Sequence, residues 1–279
     1  YCPQTFYRKW PYGMHKIIVF VLLMSLCSAA RLRAPAHTHS RFLLRVLSGD
    51  DDTEGRYPYV IALLSTEYKI RTCSATLISP NWIVTASHCF MNLPHSVQYG
   101  NMSLTANETN TLSRILTITN SPSYRMFSDP VSGNTYYIKG DIGLAKVEPV
   151  HLRAYGNISA LDYRSLPGRP VEYAGYGVTS KNNFAVIVKD QSRPLQLGEG
   201  VVVTCESHLS RQSQQFLCVA PKCSNTGQSG SQGDSGGPLF YDGKIIGVLM
   251  GGVEPSISMY TPVSPYLNWI NSVISGDMD

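Results

Sequence analysis

Residues 228–239 read "QSGSQGDSGGPL". Three serines, Ser229, Ser231 and Ser235, lie among glycines and a single acid, Asp234, directly before an apolar run. Glycine reaches backbone conformations closed to other residues and permits close chain approach. The stretch is therefore either a flexible loop or a backbone bent to hold one serine and one acid in fixed places. A serine hydroxyl is a poor nucleophile by itself. It gains reactivity from an imidazole that takes its proton and a third group that orients the imidazole.

The rest of the chain supplies candidates for both. Beyond residue 45 the histidines are His88, His95, His151 and His208. His88 stands apart, because it lies in "WIVTASHCF", where an apolar β run passes into small residues and a cysteine. His95 and His208 sit in polar, loop-like text. For the orienting acid, Asp129, Asp141, Asp162 and Asp190 lie between His88 and Ser235. Asp141 opens the alternating stretch "DIGLAKV", so its carboxylate is expected at a strand edge, partly buried. Asp129 precedes a proline and Asp190 lies in a polar stretch; both read as surface acids.

Short β-type runs dominate from Val46 onward: "YPYVIALLS", "CSATLIS", "NWIVTAS", "RILTITN", "VEYAGYG", "GVVVTC", "FLCVA", "GPLFY" and "KIIGVLMGG". Gly, Pro, Asn and Ser clusters separate them at the spacing of an all-β barrel or sandwich. The runs spread over both halves, which predicts two packed β units in one body. Helical periodicity is clear only in "SPYLNWINSVI", with Tyr266, Trp269, Ile270 and Val273 on one face and a Ser-Pro start.

Hydrophobic residues make up 43% of the chain and charged residues 15%, which allows a sizeable core and argues against disorder. The net charge of +4 belongs to one end. Residues 1–45 hold seven of the 23 Lys and Arg (Arg8, Lys9, Lys16, Arg31, Arg33, Arg41, Arg45) and no acid, leaving 16 bases against 19 acids in the rest. A slightly acidic body excludes the nucleic-acid partner that the total suggests.

That basic segment has its own grammar. From Met14 it runs "MHKIIVFVLLMSLCSAA", with Lys16 as a positive start, an apolar run over 17–26 and small residues Ser28, Ala29 and Ala30. Residues 14–30 read as a secretory signal peptide. The run falls short of the roughly 20 residues that span a bilayer, so a secreted, extracellular protein without a stable membrane anchor is expected. Residues 1–13 precede the first methionine and read as an upstream gene-model extension. Residues 31–45, basic and aperiodic, read as a propeptide. Of the seven cysteines, Cys2 and Cys27 fall in this leader. Cys73, Cys89, Cys205, Cys218 and Cys223 remain, so two disulfides and one leftover are expected in an oxidising compartment. Metal-binding spacing is lacking, and neither metal nor cofactor is expected. Sequons at Asn101, Asn107 and Asn157 are candidate glycosylation sites.

"TASHC", "DIGLAKV" and "GDSGGP", in that order, resemble the chymotrypsin-like (trypsin-fold) serine proteases. The resemblance covers residues 46–279. It implies an all-β fold of two packed six-stranded β-barrels with a C-terminal helix. It implies Ser235 as nucleophile, His88 as general base and acid, and Asp141 as orienting carboxylate. The amides of Gly233 and Ser235 would then form the oxyanion hole, where losing one donor typically costs about 10²–10³ in turnover. Asp234, a buried acid in need of a cation, would pair with the α-ammonium of Val46. Cleavage after Arg45 in "RFLLRVLSG", by an activating trypsin-like protease, would release it and make the chain a zymogen. The family usually starts with an Ile-Val-Gly-Gly type sequence, from which "VLSG" departs. Resemblance also pairs Cys73 with Cys89 and Cys205 with Cys218. Cys223 is left as a free thiol, a bond to another chain, or a competitor for Cys218.

Other departures concern efficiency and selectivity. Ser231 stands where a family cysteine braces the specificity pocket. Met250, Gly251 and Gly252 stand where the family has Ser-Trp-Gly, so a serine that helps hold the catalytic aspartate and a wall of the substrate groove are replaced. The pocket is expected at Ser229, Gly252 and Ser258. With Ser229 rather than an acid at its floor, apolar or aromatic residues are expected at the cleaved position, because burying an unpaired Lys or Arg is costly. Protein or peptide substrates and protein inhibitors are the implied partners. The competing reading is a catalytically weak homologue that acts as a binding or inhibitor protein. An acyl hydrolase using a G-x-S-x-G elbow would need alternating β and α text, which is missing.

Overall fold

In the computed structural model of the chain, the described residues are 49–91, 93–128, 135–177, 193–205, 215–222, 233–253 and 257–276. The expected leader and propeptide, Val46, Asp129, Asp190, His208, Cys223, Ser229 and Ser231 lie outside them.

In chain order the first strands are β1 (Asp50–Asp51), β2 (Val60–Leu64), β3 (Arg71–Ser79), β4 (Trp82–Thr85), β5 (Ser96–Gln98), β6 (Leu112–Asn120), β7 (Arg125–Ser128), β8 (Thr135–Lys139) and β9 (Gly143–Val147). Six of them close into an antiparallel barrel in the order β2-β3-β4-β9-β6-β5, while β7 and β8 form a separate hairpin. The remaining strands are β10 (Pro170–Gly175), β11 (Gln196–Val203), β12 (Leu217–Pro221), β13 (Pro238–Tyr241), β14 (Lys244–Val253) and β15 (Ile257–Pro262). They run β11-β10-β13-β14-β15-β12, and the β11–β12 pairing closes them into a second barrel, with β1 added outside on β11. Closure removes the unpaired edges that an open sheet would present.

Side-chain patterns explain the packing. β2, "VIALL", is buried at every position. β11, "QLGEGVVV", alternates buried and half-buried along its whole length, as a one-faced strand should. Ile61, Leu77, Ile83 and Leu144 of the first barrel share one core with Phe240, Ile245 and Val248 of the second. Tyr57 stacks on Phe240 at that seam, with ring centroids 4.3 Å apart. Full burial of each such side chain contributes about 1.5–3 kcal/mol.

The C-terminal periodicity forms a 3-10 turn, Ser264–Tyr266, leading into α1 (Leu267–Ser275). Ile270 and Val273 are buried on its inner face, and Tyr266 and Trp269 pack against the same core. The two-barrel expectation is met. The β runs read from sequence coincide with β2, β3, β4, β6, β9, β10, β11, β12, β13 and β14.

Candidate active site

β4 ends at Thr85, and a 3-10 turn, Ser87–Phe90, presents His88. The Ser87 hydroxyl donates to the Ile142 carbonyl at 2.7 Å, fastening the turn to the segment that carries Asp141. Asp141 is fully buried and precedes β9 instead of opening it, so it lies deeper than the strand-edge position expected. Its carboxylate accepts twice from His88: the backbone N–H donates to Oδ1 at 2.9 Å, and Nδ1 lies 2.6 Å from Oδ2. That pairing puts the ring proton on Nδ1 and leaves Nε2 as the free base. Tyr124 and Tyr266 stand near the same carboxylate. Burial pushes the Tyr124 phenol up to about 12 and raises Tyr266 too, and the Asp141 charge adds to both effects. Both phenols stay neutral beside the acid.

Ser235 comes from the other barrel, just before β13. It is half-buried, and its carbonyl accepts from the Ser74 N–H at 2.8 Å. The next residue, Gly236, has φ +80°, and a Cβ there would lie 2.0 Å from Thr85 Oγ1 and 3.1 Å from the Ala86 nitrogen. Only glycine brings the Ser235 backbone flush against the residues that lead into His88. No hydrogen bond joins the Ser235 hydroxyl to the ring, a contact that often tightens only once substrate binds.

Asp234 is buried, and its Oδ1 accepts from the Gly177 N–H at 2.6 Å. A Cβ on Gly177 would come within 2.3 Å of the carboxyl carbon, so glycine is needed for this close approach. Val46, its expected partner, lies outside the described residues. Gly233, also at positive φ, has its carbonyl bonded by the Ser74 hydroxyl at 3.0 Å.

Ser74 is the residue that sequence reading missed. It is fully buried. Its N–H donates to the Ser235 carbonyl and its hydroxyl to the Gly233 carbonyl; the hydroxyl also accepts from the Tyr176 N–H at 2.9 Å, and the Ser74 carbonyl accepts from the Thr85 hydroxyl at 2.8 Å. One residue, through its hydroxyl and its backbone, thus braces the serine loop, the Tyr176 segment and the strand before His88. The available signal was a polar residue inside the apolar stretch that follows Cys73, on the strand face opposite Cys73, Ala75 and Leu77. Arg71 was missed as well. Its guanidinium, buried under the Tyr176 ring, donates to the carbonyls of Met102 at 2.6 Å and Leu104 at 3.1 Å. Burial lowers its pKa to about 10, with the charge of Arg193 acting in the same direction.

Cys73–Cys89 and Cys205–Cys218 are bonded, as resemblance implied. The first bridge lies beside His88, with Cys89 Sγ 3.8 Å from Nε2. Both sulfurs are committed to each other, so this cluster offers no thiolate to a metal. Gly252 and Ser258 face each other across β14 and β15, Gly252 exposed and Ser258 buried. Met250 falls at the bulge between Leu249 and Gly251, and a Cβ on Gly251 would meet nothing within 4 Å. His95 and His151 are exposed, as are Asn101, Asn107 and Asn157. Asp162 caps a 3-10 turn through the Arg164 N–H.

Two antiparallel barrels with a buried acid, an imidazole and a glycine-bound serine at their seam define a serine-protease architecture. The sequence model of the trypsin family matches residues 46–270, and the chain belongs to that family of serine proteases. It is similar to kallikrein-10 from Homo sapiens, 28% identical over 216 residues that cover 72% of this chain and 74% of the relative. It is 27% identical over 251 residues to chymotrypsin-like elastase family member 1 from Canis lupus familiaris, covering 84% and 93% of the two chains. It is also 26% identical over 243 residues to a snake venom serine protease homolog from Bothrops jararacussu, covering 84% and 89%. Among solved structures, neuropsin, a serine protease expressed in the limbic system of mouse brain, superposes with a TM-score of 0.64 at 23% identity. It covers 81% of this chain and 99% of its own. That likeness is one of fold. Among the described residues no helix is long and apolar enough to cross a membrane.

Proposed function

We propose that the chain is a secreted serine endopeptidase, made as a zymogen, that hydrolyses peptide bonds through Ser235, His88 and Asp141. The observation that carries this reading is the 2.6 Å contact between His88 Nδ1 and the buried Asp141, beside a serine whose loop abuts the strand leading to that histidine. Held by Asp141, the ring presents Nε2 to take the Ser235 proton as the hydroxyl attacks the scissile carbonyl. The amides of Gly233 and Ser235 receive the negative oxygen. The ring then returns the proton to the leaving amine, and water repeats the cycle on the acyl-enzyme. Cleavage after Arg45 by a trypsin-like protease frees Val46 to pair with Asp234. Ser229, Gly252 and Ser258 shape a pocket for apolar or aromatic side chains, and Asn101, Asn107 and Asn157 carry glycans in the extracellular space.

A second reading, a catalytically weak homologue that binds or inhibits, is favoured by Met250 in place of a serine and by the open space at Gly251. It also has a precedent in the snake venom relative, which is named a serine protease homolog. The test is to cut the secreted protein after Arg45 and add a fluorophosphonate probe. Covalent labelling that disappears in Ser235→Ala supports the endopeptidase. Absence of labelling after verified cleavage favours the second reading.

A further inference from the structure

Arg56 is the one Lys or Arg between Val46 and Leu64, eleven positions beyond Arg45. A protease that recognises Arg45 would recognise Arg56 by the same chemistry. Residues 53–56 are exposed, and exposed segments of small and polar residues are where proteolytic cuts concentrate.

The contacts around Arg56 bear on the bond that follows it. Its Nη2 donates to both oxygens of Glu172, on β10, at 2.8 and 2.7 Å, and its guanidinium lies over the Tyr57 ring. The Tyr57 hydroxyl donates to the same carboxylate. The Arg56 N–H donates to Asp52 Oδ1 at 3.0 Å, and the Tyr57 N–H, the amide of the bond itself, donates to Oδ2 at 3.3 Å. On the far side Tyr57 is buried against Phe240, the residue that faces Glu172 across β10 and β13. A trypsin-like protease must draw the arginine into its own pocket and pair with a free, extended backbone. Here Glu172 holds the side chain and Asp52 holds the amides. The Arg56–Glu172 pair is partly solvated, with side-chain exposures of 42% and 34%, so it adds little to overall stability. Its effect falls on how often this loop opens.

A cut after Arg56 would undo the one after Arg45. It would leave segment 46–56 without a covalent link to the barrels, attached through short contacts such as the two-residue pairing of β1 on β11 and the Gln196 amide on Asp51 at 2.7 Å. Pairing of Val46 with Asp234 would become bimolecular, and dilution would disfavour it. We infer that the Arg56–Tyr57 bond is a second processing site for a trypsin-like protease, that Glu172 and Asp52 keep it closed, and that cutting it switches the enzyme off. The step adds one water across the bond, leaving a carboxylate on Arg56 and an ammonium on Tyr57. The inference rests on the proposed activation after Arg45 and adds the means of ending it.

The test incubates the secreted full chain and its Glu172→Gln variant with trypsin, following the new N-termini by mass and sequencing. The Val46 terminus is expected at the same rate in both. The Tyr57 terminus should form at least about tenfold faster in Glu172→Gln, because cleavage follows the population of the open loop. Peptidase activity of that variant should rise and then decay in step with the Tyr57 terminus, and adding Arg56→Gln should remove both that terminus and the decay. An unchanged thermal midpoint verifies folding. Asp52→Ala, which releases only the amides, should speed the same cut and stands in if Glu172→Gln misfolds. A Tyr57 terminus that forms equally fast in all three proteins, or in none, overturns the inference, as does activity that survives complete cutting. Absence of the Val46 terminus, or of activity once it has formed, sinks the zymogen or the catalytic reading, while the Tyr57 terminus, read by mass alone, still decides whether the bond is latched.

Discussion

The Ser74 N–H donates to the Ser235 carbonyl at 2.8 Å, so a residue of the first barrel holds the backbone of the serine contributed by the second. The same residue's hydroxyl serves Gly233 and Tyr176, both buried. Ser74→Ala therefore strands a buried carbonyl and a buried amide. The expected loss is about 1–3 kcal/mol of stability, because an unsatisfied buried group loses its full solvation. Activity should fall mainly in kcat, with KM little changed, since the loop that aims Ser235 loosens while the substrate groove stays. Denaturant unfolding alongside steady-state kinetics checks both parts.

Asp141→Asn keeps the shape of the site but can donate to His88 Nδ1, which favours the wrong tautomer. We expect kcat to drop by about 10⁴, with peptide binding nearly unchanged. Kinetics on the cleaved protein, with binding measured on a Ser235→Ala background, separate the two effects. A loss below about tenfold would argue that the 2.6 Å contact has no catalytic part.

Met250→Ser restores a donor of the type the family places near its aspartate, and Gly251→Trp rebuilds a groove wall in space that the fold leaves open. A hydrogen bond to a carboxylate is worth about 1.5 kcal/mol or more, so Met250→Ser should raise kcat by about tenfold. Gly251→Trp should lower KM for peptides while leaving the thermal midpoint in place. If neither variant moves activity, these departures do not limit turnover.

Tyr57, Tyr59, Tyr124, Tyr173, Tyr176, Tyr260 and Tyr266 all have phenols pushed up, chiefly by burial. For each, the folded state keeps a proton that the unfolded chain loses above about pH 10. Stability from these groups is complete below that pH and falls as pH rises through it. Arg71, lowered to about 10 by burial, opposes this over the same range, but it is one group against seven. The protein should unfold cooperatively in alkali. Phenolate absorbance would then rise in two stages, with exposed tyrosines titrating first and these only as the fold is lost.

The strands legible in sequence were those with continuous or alternating apolar runs between turn residues, such as "VIALL" and "GVVVTC". β5 is only "SVQ", too short for a pattern, and the β7–β8 hairpin carries no such run. β15, "ISMYTP", is buried from Ser258 onward yet interleaves Ser and Thr with its apolar residues, which blurred it. His88 and Asp141 could be chosen because each adjoins an apolar strand that must reach the core. Ser74 could not, since its importance comes from partners some 100 to 160 positions away that only the closed barrels bring together. Arg71 likewise gathers carbonyls from a turn about thirty positions downstream.

Tyr57 stacked on Phe240 marks the join between two half-molecules, one bearing the base and its acid, the other the hydroxyl. In the proposed mechanism, catalysis is thus a readout of alignment. A slip of an ångström along that join, too slight to expose the core, would already separate the proton acceptor from the group it serves. On gentle heating, hydrolysis should therefore fade before any spectroscopic sign of melting.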